Sequence, residues 1–355
     1  MRLGFFTDTF LPQRNGVVTS VLSFGSELVR RGHEVHVFCP KTRVKEADGI
    51  RVHSYPAVRF RPYPEFRIAV PQGKDRVPPL DLVHSHSPFT MGFFGIRVAK
   101  HHGLPRVASF HTLLTEYLRY AFRVGAPLMK FFTWEFCRVF YNRQHRVITP
   151  SHTLKRVLRE KGIKRPIEVI PNGIDTSFYR PHPKHLARKK LGLGNGRVFL
   201  SLGRLSYEKK VDVVIRAMKR VNGKLVVCGR GPHASRLKEL VRRERLSRKV
   251  VFHGFVREEL KPLYYSATDA LVVASTSETQ GVVMLEAMAC GTPVIGARAL
   301  AIPEIVKARR NGLLFEPDNT DELAEMLDSF EPTEAMSTNA RRTALEYSVD
   351  RMVSK

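Results

Sequence analysis

The chain has 355 residues, 43% of them hydrophobic, with 24 Gly and 22 Pro. That composition suits one large or two medium domains and excludes a repeat array or a disordered tail. The 59 Lys and Arg against 33 Asp and Glu leave a net charge of +26, so the expected partners are polyanions: nucleic acid, anionic lipid or phosphorylated ligands.

No uncharged apolar run approaches the roughly 18 residues a membrane span needs, and "MRLGFFTDTFLP" reads as a strand leaving Met1 rather than a signal peptide. Strands are predicted at Leu3–Thr7, Glu34–Cys39, Leu82–Ser85, Arg106–Phe110, Arg146–Thr149 and Glu168–Ile170. Between the first two, Val18, Val21, Leu22, Leu28 and Val29 recur at helical spacing up to Gly32, which makes a βαβ opening. Cys39, Cys137, Cys228 and Cys290 are far apart and form no CxxC, against a zinc site or disulfide framework and in keeping with a reducing cytoplasm.

A Pro-, Gly- and charge-rich stretch at 171–197 interrupts the pattern and predicts a hinge near 172–182. Strands resume at Val198–Leu202, Lys224–Cys228, Val250–His253, Ala270–Ala274 and Pro293–Gly296. The expected fold class is α/β, with two Rossmann-like domains facing across a cleft: residues 1–172, joined by a C-terminal helix at about 333–355, and residues 173–332. Ligands of such folds bind beyond the carboxyl ends of the strands.

The strongest chemical constellation is "STSETQGVVMLEAMACGTPVIG" at 275–296. Two carboxylates, Glu278 and Glu286, flank Gly281 and Val282 at the start of an apolar helix, whose N–H groups and dipole suit a diphosphate. Taken singly, each Glu also reads as a solvated surface residue. In "LSLGRLSYEKKVD", Arg204 and Lys209 follow a strand end, and together offer a planar fork and a point charge to phosphate oxygens; in a chain this basic, solvated side chains are the plainer reading. "VVCGRGPHASRL" lacks the third glycine of the dinucleotide fingerprint, so a tight turn is expected there and NAD is disfavoured.

In the first half, Gly16 precedes a helix and His111 ends a strand, where either could approach a phosphate or sugar or could be merely structural. His84 and His86 have no third ligand at usable spacing, and no Asp-x-Asp occurs, so no metal is expected and a diphosphate would be neutralised by Arg, Lys and a helix N-terminus.

These motifs resemble those of the retaining, nucleotide-sugar-dependent glycosyltransferases of family four, which have the GT-B architecture. "SETQGVVMLE" is similar to their E-x7-E motif, "GRLSYEKKVD" to their phosphate-binding loop, "PNGID" to their interdomain segment, "FHT" to their active-site His motif and "TPSHTLKRVLREKG" to another recurrent segment. The resemblance covers residues 1 to about 328. It implies that Arg204 and Lys209 bind the donor diphosphate, Glu286 the ribose and Glu278 the sugar hydroxyls, with the backbone of Gly281 and Val282 against sugar or phosphate. It places His111 beside the donor sugar and Gly16 where the donor approaches the first domain. Asn15-Gly16 in place of two glycines, and Thr279-Gln280 in place of Phe-Gly, resemble members that glycosylate membrane lipids such as diacylglycerol or phosphatidylinositol.

Residues 113–165 carry 12 basic and 3 acidic residues. Within 113–146 aromatic and aliphatic side chains interleave with Arg and Lys, as an anionic membrane interface requires. Arg119, Arg123, Lys130, Trp134 and Arg138 are the expected membrane and acceptor contacts; a core helix pair with a charged outer face is the alternative.

The sequence therefore predicts a metal-independent, cofactor-free retaining hexosyltransferase using a UDP- or GDP-sugar. Its expected acceptor is a lipid at the cytoplasmic face of an anionic membrane, where it sits peripherally. The alternatives are a soluble sugar or sugar-phosphate acceptor, a sugar-nucleotide epimerase, and a basic nucleic-acid-binding protein; no nucleic-acid module is recognisable.

Overall fold

The computed structural model describes residues 1–13, 15–59, 67–73, 77–115 and 126–355. The chain divides into two compact units, Met1–Gly173 with Val349–Lys355, and Ile174–Ser348.

In the first unit the strands are β1 (Arg2–Phe6), β2 (Glu34–Pro40), β3 (Glu46–Ala47), β4 (Ile50–Tyr55), β5 (Ala57–Arg59), β6 (Arg67–Ala69), β7 (Leu82–Ser85), β8 (Arg106–Ser109), β9 (Arg146–Thr149) and β10 (Ile167–Val169). Eight of them form a sheet in the order β10-β9-β8-β7-β1-β2-β4-β3, parallel except for the β3–β4 pair, while β5 and β6 form a separate antiparallel ribbon. The strand order reverses at β1, between β2 and β7, which is where open parallel sheets place their ligands.

The second unit contains β11 (Val198–Leu202), β12 (Lys224–Cys228), β13 (Val250–Gly254), β14 (Ala270–Val273), β15 (Val294–Ala297) and β16 (Gly312–Phe315). They form one parallel sheet in the order β13-β12-β11-β14-β15-β16. That is the doubly wound Rossmann order, with its switch point between β11 and β14. Continuous burial of Ala270–Val273 and Val294–Ala297 reflects a sheet covered on both faces.

One expectation about organisation is corrected. The helix Glu334–Glu346 belongs to the second unit, not the first. Its Ala340 and Ala344 are fully buried in the second unit's core, and Arg341 donates to the carbonyl oxygens of Thr176, Tyr179 and Ala289. Only Val349–Lys355 joins the first unit, where Arg31 donates to the Asp350 carbonyl. All four cysteines are free and buried, and burial pushes each thiol up to about 12.

Candidate donor and acceptor sites

In the second unit, β11 and β14 deliver the two halves of the candidate donor site to the switch point. β11 ends at Leu202 and is followed by Gly203 and a half-buried Arg204. The loop then runs against the turn after β12: Leu205 N donates to Arg230 O, and His233 N donates to Leu205 O, both at 2.9 Å. A Cβ at Gly229 would lie 1.8 Å from Gly203 O, so glycine is there to let two backbones meet. This is the structural role expected for "GRGP", and it braces the Arg204 loop.

A 3-10 turn at Tyr207–Lys209 carries Lys209 to Glu278, where Nζ donates to Oε1 at 2.6 Å. Glu278 lies in the loop after β14 and is 8% exposed. The helix Val282–Ala289 begins directly after Gly281, which adopts φ 82°, a conformation that disfavours any residue with a Cβ. The structure thus brings Lys209 to Glu278, and sets Gly281 and Val282 at a helix start on the same switch-point side.

Glu286 lies inside that helix and is 4% exposed. Its carboxylate accepts a hydrogen bond from Tyr265 OH at 2.6 Å and from Lys261 Nζ at 3.3 and 3.4 Å. Lys261 also donates to Glu258 at 3.1 Å, and Tyr179 OH donates to the same carboxylate. Burial alone would lower the Lys261 pKa, but the Glu286 and Glu258 charges outweigh it and hold the ammonium above its ordinary value. Burial beside Glu286 pushes the Tyr265 phenol well up. Sequence reading singled out Glu286 and missed this network, because Tyr179, Glu258, Lys261 and Tyr265 are dispersed in sequence and carry no motif.

In the first unit, Asn15 caps the helix Gly16–Arg30, its Oδ1 accepting from Val17 N and Val18 N at 3.1 Å each. Gly16 is exposed with open space where a Cβ would stand, so a ligand has room at that helix start. Asp8, not anticipated from sequence, sits at the end of β1. It accepts from Ser87 Oγ at 2.6 Å, Thr90 Oγ1 at 2.8 Å and Met91 N at 3.0 Å. It thereby caps the helix Thr90–His101, whose own N-cap residue, Phe89, supplies no side-chain cap hydrogen bond.

His111 follows β8 and meets His86, which follows β7: His86 Nδ1 and His111 Nε2 are 3.1 Å apart. Strand pairing thus brings His111 to His86 across 25 residues of sequence. Burial pushes His84 to about 3 and His111 to about 4, so both are neutral at pH 7. Among the described residues, no group of three or more His, Cys, Asp or Glu side chains could hold a metal ion.

Of the basic segment, residues 113–115 and 126–165 are described; Arg119 and Arg123 lie outside the described residues. The helix Ala126–Tyr141 buries Cys137, Phe140 and Tyr141 on one side. On the other, Leu128, Phe131, Phe132, Phe136 and Val139 are 62, 59, 56, 38 and 44% exposed. Trp134, expected at the membrane interface, instead packs inward against the core. Its ring lies 6.2 Å from that of Phe110 at an interplanar angle of 3°, with the Lys161 ammonium 5.6 Å above it. The reason is helical phase, because Trp134 shares the face of Cys137 and Tyr141. Lys130 and Arg138 are exposed, and Arg138 pairs with Glu135 one turn back. No described helix is long and apolar enough to cross a membrane.

The family described as Glycosyltransferase Family 4 matches residues 14–178, and that described as Glycosyl transferases group 1 matches residues 184–346. The alpha-monoglucosyldiacylglycerol synthase of Streptococcus pneumoniae is 33% identical over 337 residues, covering 89% of this chain and 75% of that protein. The chain belongs to this glycosyltransferase family. A GDP-mannose-dependent alpha-mannosyltransferase of Mycolicibacterium smegmatis is 30% identical over 90% of the glycosyltransferase described here and 85% of its own length. Among solved structures, Anabaena HepE in complex with UDP and glucose superposes with a TM-score of 0.82 at 22% identity, over 100% of this chain and 97% of that one. The two Rossmann-like units are those of the GT-B glycosyltransferases.

Proposed function

We propose that this glycosyltransferase moves a hexosyl group from a UDP- or GDP-sugar to a lipid acceptor at an anionic membrane surface, with retention of anomeric configuration and without a metal or cofactor. The observation that carries the lipid acceptor is the exposed apolar face of the helix Ala126–Tyr141. Five exposed apolar side chains on one face, with Lys130 and Arg138 exposed on the same helix, mark an interaction surface rather than ordinary solvent-facing helix. The names of two relatives, an alpha-monoglucosyldiacylglycerol synthase and a GDP-mannose-dependent alpha-(1-6)-phosphatidylinositol monomannoside mannosyltransferase, support the same reading. Peripheral association with a membrane accords with it, and the cytoplasmic face is the side we propose.

The chemistry is assigned as follows. Arg204 and Lys209 neutralise the donor diphosphate; Glu278 orients the sugar hydroxyls; Glu286, held by Tyr265 and Lys261, accepts from the ribose. Gly281 and Val282 present backbone N–H groups; on the first unit, His111 and Gly16 are the residues assigned to sugar recognition. The acceptor oxygen forms its bond to the anomeric carbon as the carbon–phosphate oxygen bond breaks on the same face. The acceptor's hydroxyl proton passes to a leaving diphosphate oxygen, and the products are the glycolipid and a nucleoside diphosphate. Charge stabilisation by Arg204 and Lys209 is the main catalytic contribution.

The test incubates the chain with UDP-glucose or GDP-mannose and vesicles of diacylglycerol or phosphatidylinositol in anionic lipid, with and without EDTA, and reads glycolipid by mass spectrometry and anomeric configuration by NMR. A labelled α-glycolipid formed in EDTA is expected. Transfer only to soluble sugars would replace the acceptor assignment, and loss in EDTA restored by Mg²⁺ would overturn the metal-free one.

A further inference from the structure

His86 is 2% exposed and lies between aromatic neighbours. The His84 ring is stacked on it at 4.1 Å between centroids, and the Phe5 ring packs at 4.8 Å. His84 is itself tied down, its Nε2 lying 2.8 Å from Ser109 Oγ. The His86 and His111 rings are within 8° of parallel with centroids 5.3 Å apart, yet the nearest nitrogens are 3.1 Å apart. The centroid separation exceeds the nitrogen contact by about two ring radii, so the rings meet edge to edge through a hydrogen bond, not face to face.

Each neutral imidazole carries one N–H, and the shared contact admits two arrangements. If His111 donated from Nε2, His86 would keep its proton on Nε2, an atom that is buried and without a hydrogen-bond partner among the described residues. If His86 donates from Nδ1, the orphaned Nε2 is a lone pair. An orphaned buried N–H is the rarer and costlier fault, so the second arrangement prevails.

We propose that His86 is a positioning residue: its Nδ1–H donates to His111 Nε2 and so fixes His111 as the tautomer carrying its proton on Nδ1. His111 then carries its N–H on Nδ1 in a fixed ring orientation. The inference concerns how His111 is prepared, and its catalytic consequence rests on the reading that His111 serves the donor sugar. No sequence motif singles out this role, since His86 and His111 are 25 residues apart and only the β7–β8 pairing brings them together.

The test has two parts. ¹⁵N NMR of the histidine-labelled full chain at pH 7 reads the His111 tautomer directly, independent of any substrate. His111 protonated on Nδ1 is expected; protonation on Nε2 overturns the proposal even if the enzyme is fully active. The second part compares two polar variants of similar bulk. In His86→Asn the amide nitrogen can occupy the place of Nδ1, whereas in His86→Gln it reaches toward the place of Nε2 and leaves His111 Nε2 without its donor.

H86Q is expected to redistribute the His111 tautomers and to lower kcat by about 10²-fold, with KM for the sugar nucleotide unchanged; H86N should retain the wild-type tautomer and most of kcat. A fall in kcat with no tautomer change, or a tautomer change with kcat intact, overturns the positioning role. If the wild-type chain transfers no sugar, the glycosyl-transfer assignment of His111 falls, while the ¹⁵N spectrum still decides the tautomer.

Discussion

Replacing Phe131 and Phe132 together by Ser removes the two most exposed phenylalanine side chains from the outer face of the helix Ala126–Tyr141. Full burial of a Phe side chain is worth about 1.5–3 kcal/mol. These two retain 59 and 56% of their surface in water, so full insertion into an interface withdraws a little over half of each side chain's surface, or roughly 2–3 kcal/mol for the pair. That is a factor of about 100 in partitioning. Adding Leu128, Phe136 and Val139, the whole face offers about 5 kcal/mol, close to the marginal anchoring of one myristoyl chain. Basic residues near the surface supply the second signal, about 1 kcal/mol each. Sedimentation with vesicles of zwitterionic lipid, with and without anionic lipid, separates the two contributions over a salt series. Wild-type binding should weaken as salt rises and level off at an apolar residue of affinity; the double variant should lie about 100-fold lower at every salt concentration. Equal binding by the two proteins would refute the idea that this face enters the bilayer.

Lys209→Ala should lower turnover by about 10²-fold or more and also cost about 1–3 kcal/mol of stability, because Glu278 is left buried without its partner. Adding Glu278→Gln should restore stability without activity, and a fully active K209A in steady-state assays would remove Lys209 from the donor site. Asp8→Ala should destabilise the first unit by about 1–3 kcal/mol through loss of the only side-chain cap of the helix Thr90–His101 among the described residues; an unchanged urea midpoint would deny Asp8 that role. For pH, the unfolded chain binds protons to its histidines below about 6.5, whereas His84 and His111 resist protonation down to about 3 and about 4. Stability is therefore complete above about 6.5 and falls with acid, by about 2 kcal/mol for each of the two at pH 5. Trp134, the single tryptophan, reports the first unit in urea titrations, and equal stability at pH 7 and pH 5 would contradict the linkage.

Much of the fold was legible because buried parallel strands are short apolar runs with clear punctuation. Lys224–Cys228 and Val198–Leu202 form as the sequence suggests. β16 escaped notice although "NGLLFEP" brackets its residues with turn formers; β3, β5 and β6 escaped because they are only two or three residues long, and β4 because only Ile50 and Val52 of its six residues are buried. At the site, the motif residues were visible while their partners were not. Lys209 meets Glu278 across 69 residues and Lys261 meets Glu286 across 25, distances that no local pattern encodes. Trp134 shows a different shortfall: the composition of the helix signalled an interface, but phase along the helix decides which aromatic side chains face it.

The crossing between units has a consequence for how such a chain is made and modified. Ile174 and Ser348, the first and last residues of the second unit, are bridged in parallel, and Ile174 N donates to Tyr347 O at 2.9 Å. On the other side of the crossing, Gly173 sits so close to Val349 that a Cβ there would be 2.4 Å from the Val349 Cα. The second unit is thus an uninterrupted cassette whose two ends emerge together, whereas the first is a host split at a single seam. A ribosome releases the whole cassette before the last strip of the host, so the cassette can close on itself while its host still waits for Val349–Lys355. The same seam is where a graft would be cut: replacing Ile174–Ser348 between Gly173 and Val349 interrupts no strand of the sheet that receives it.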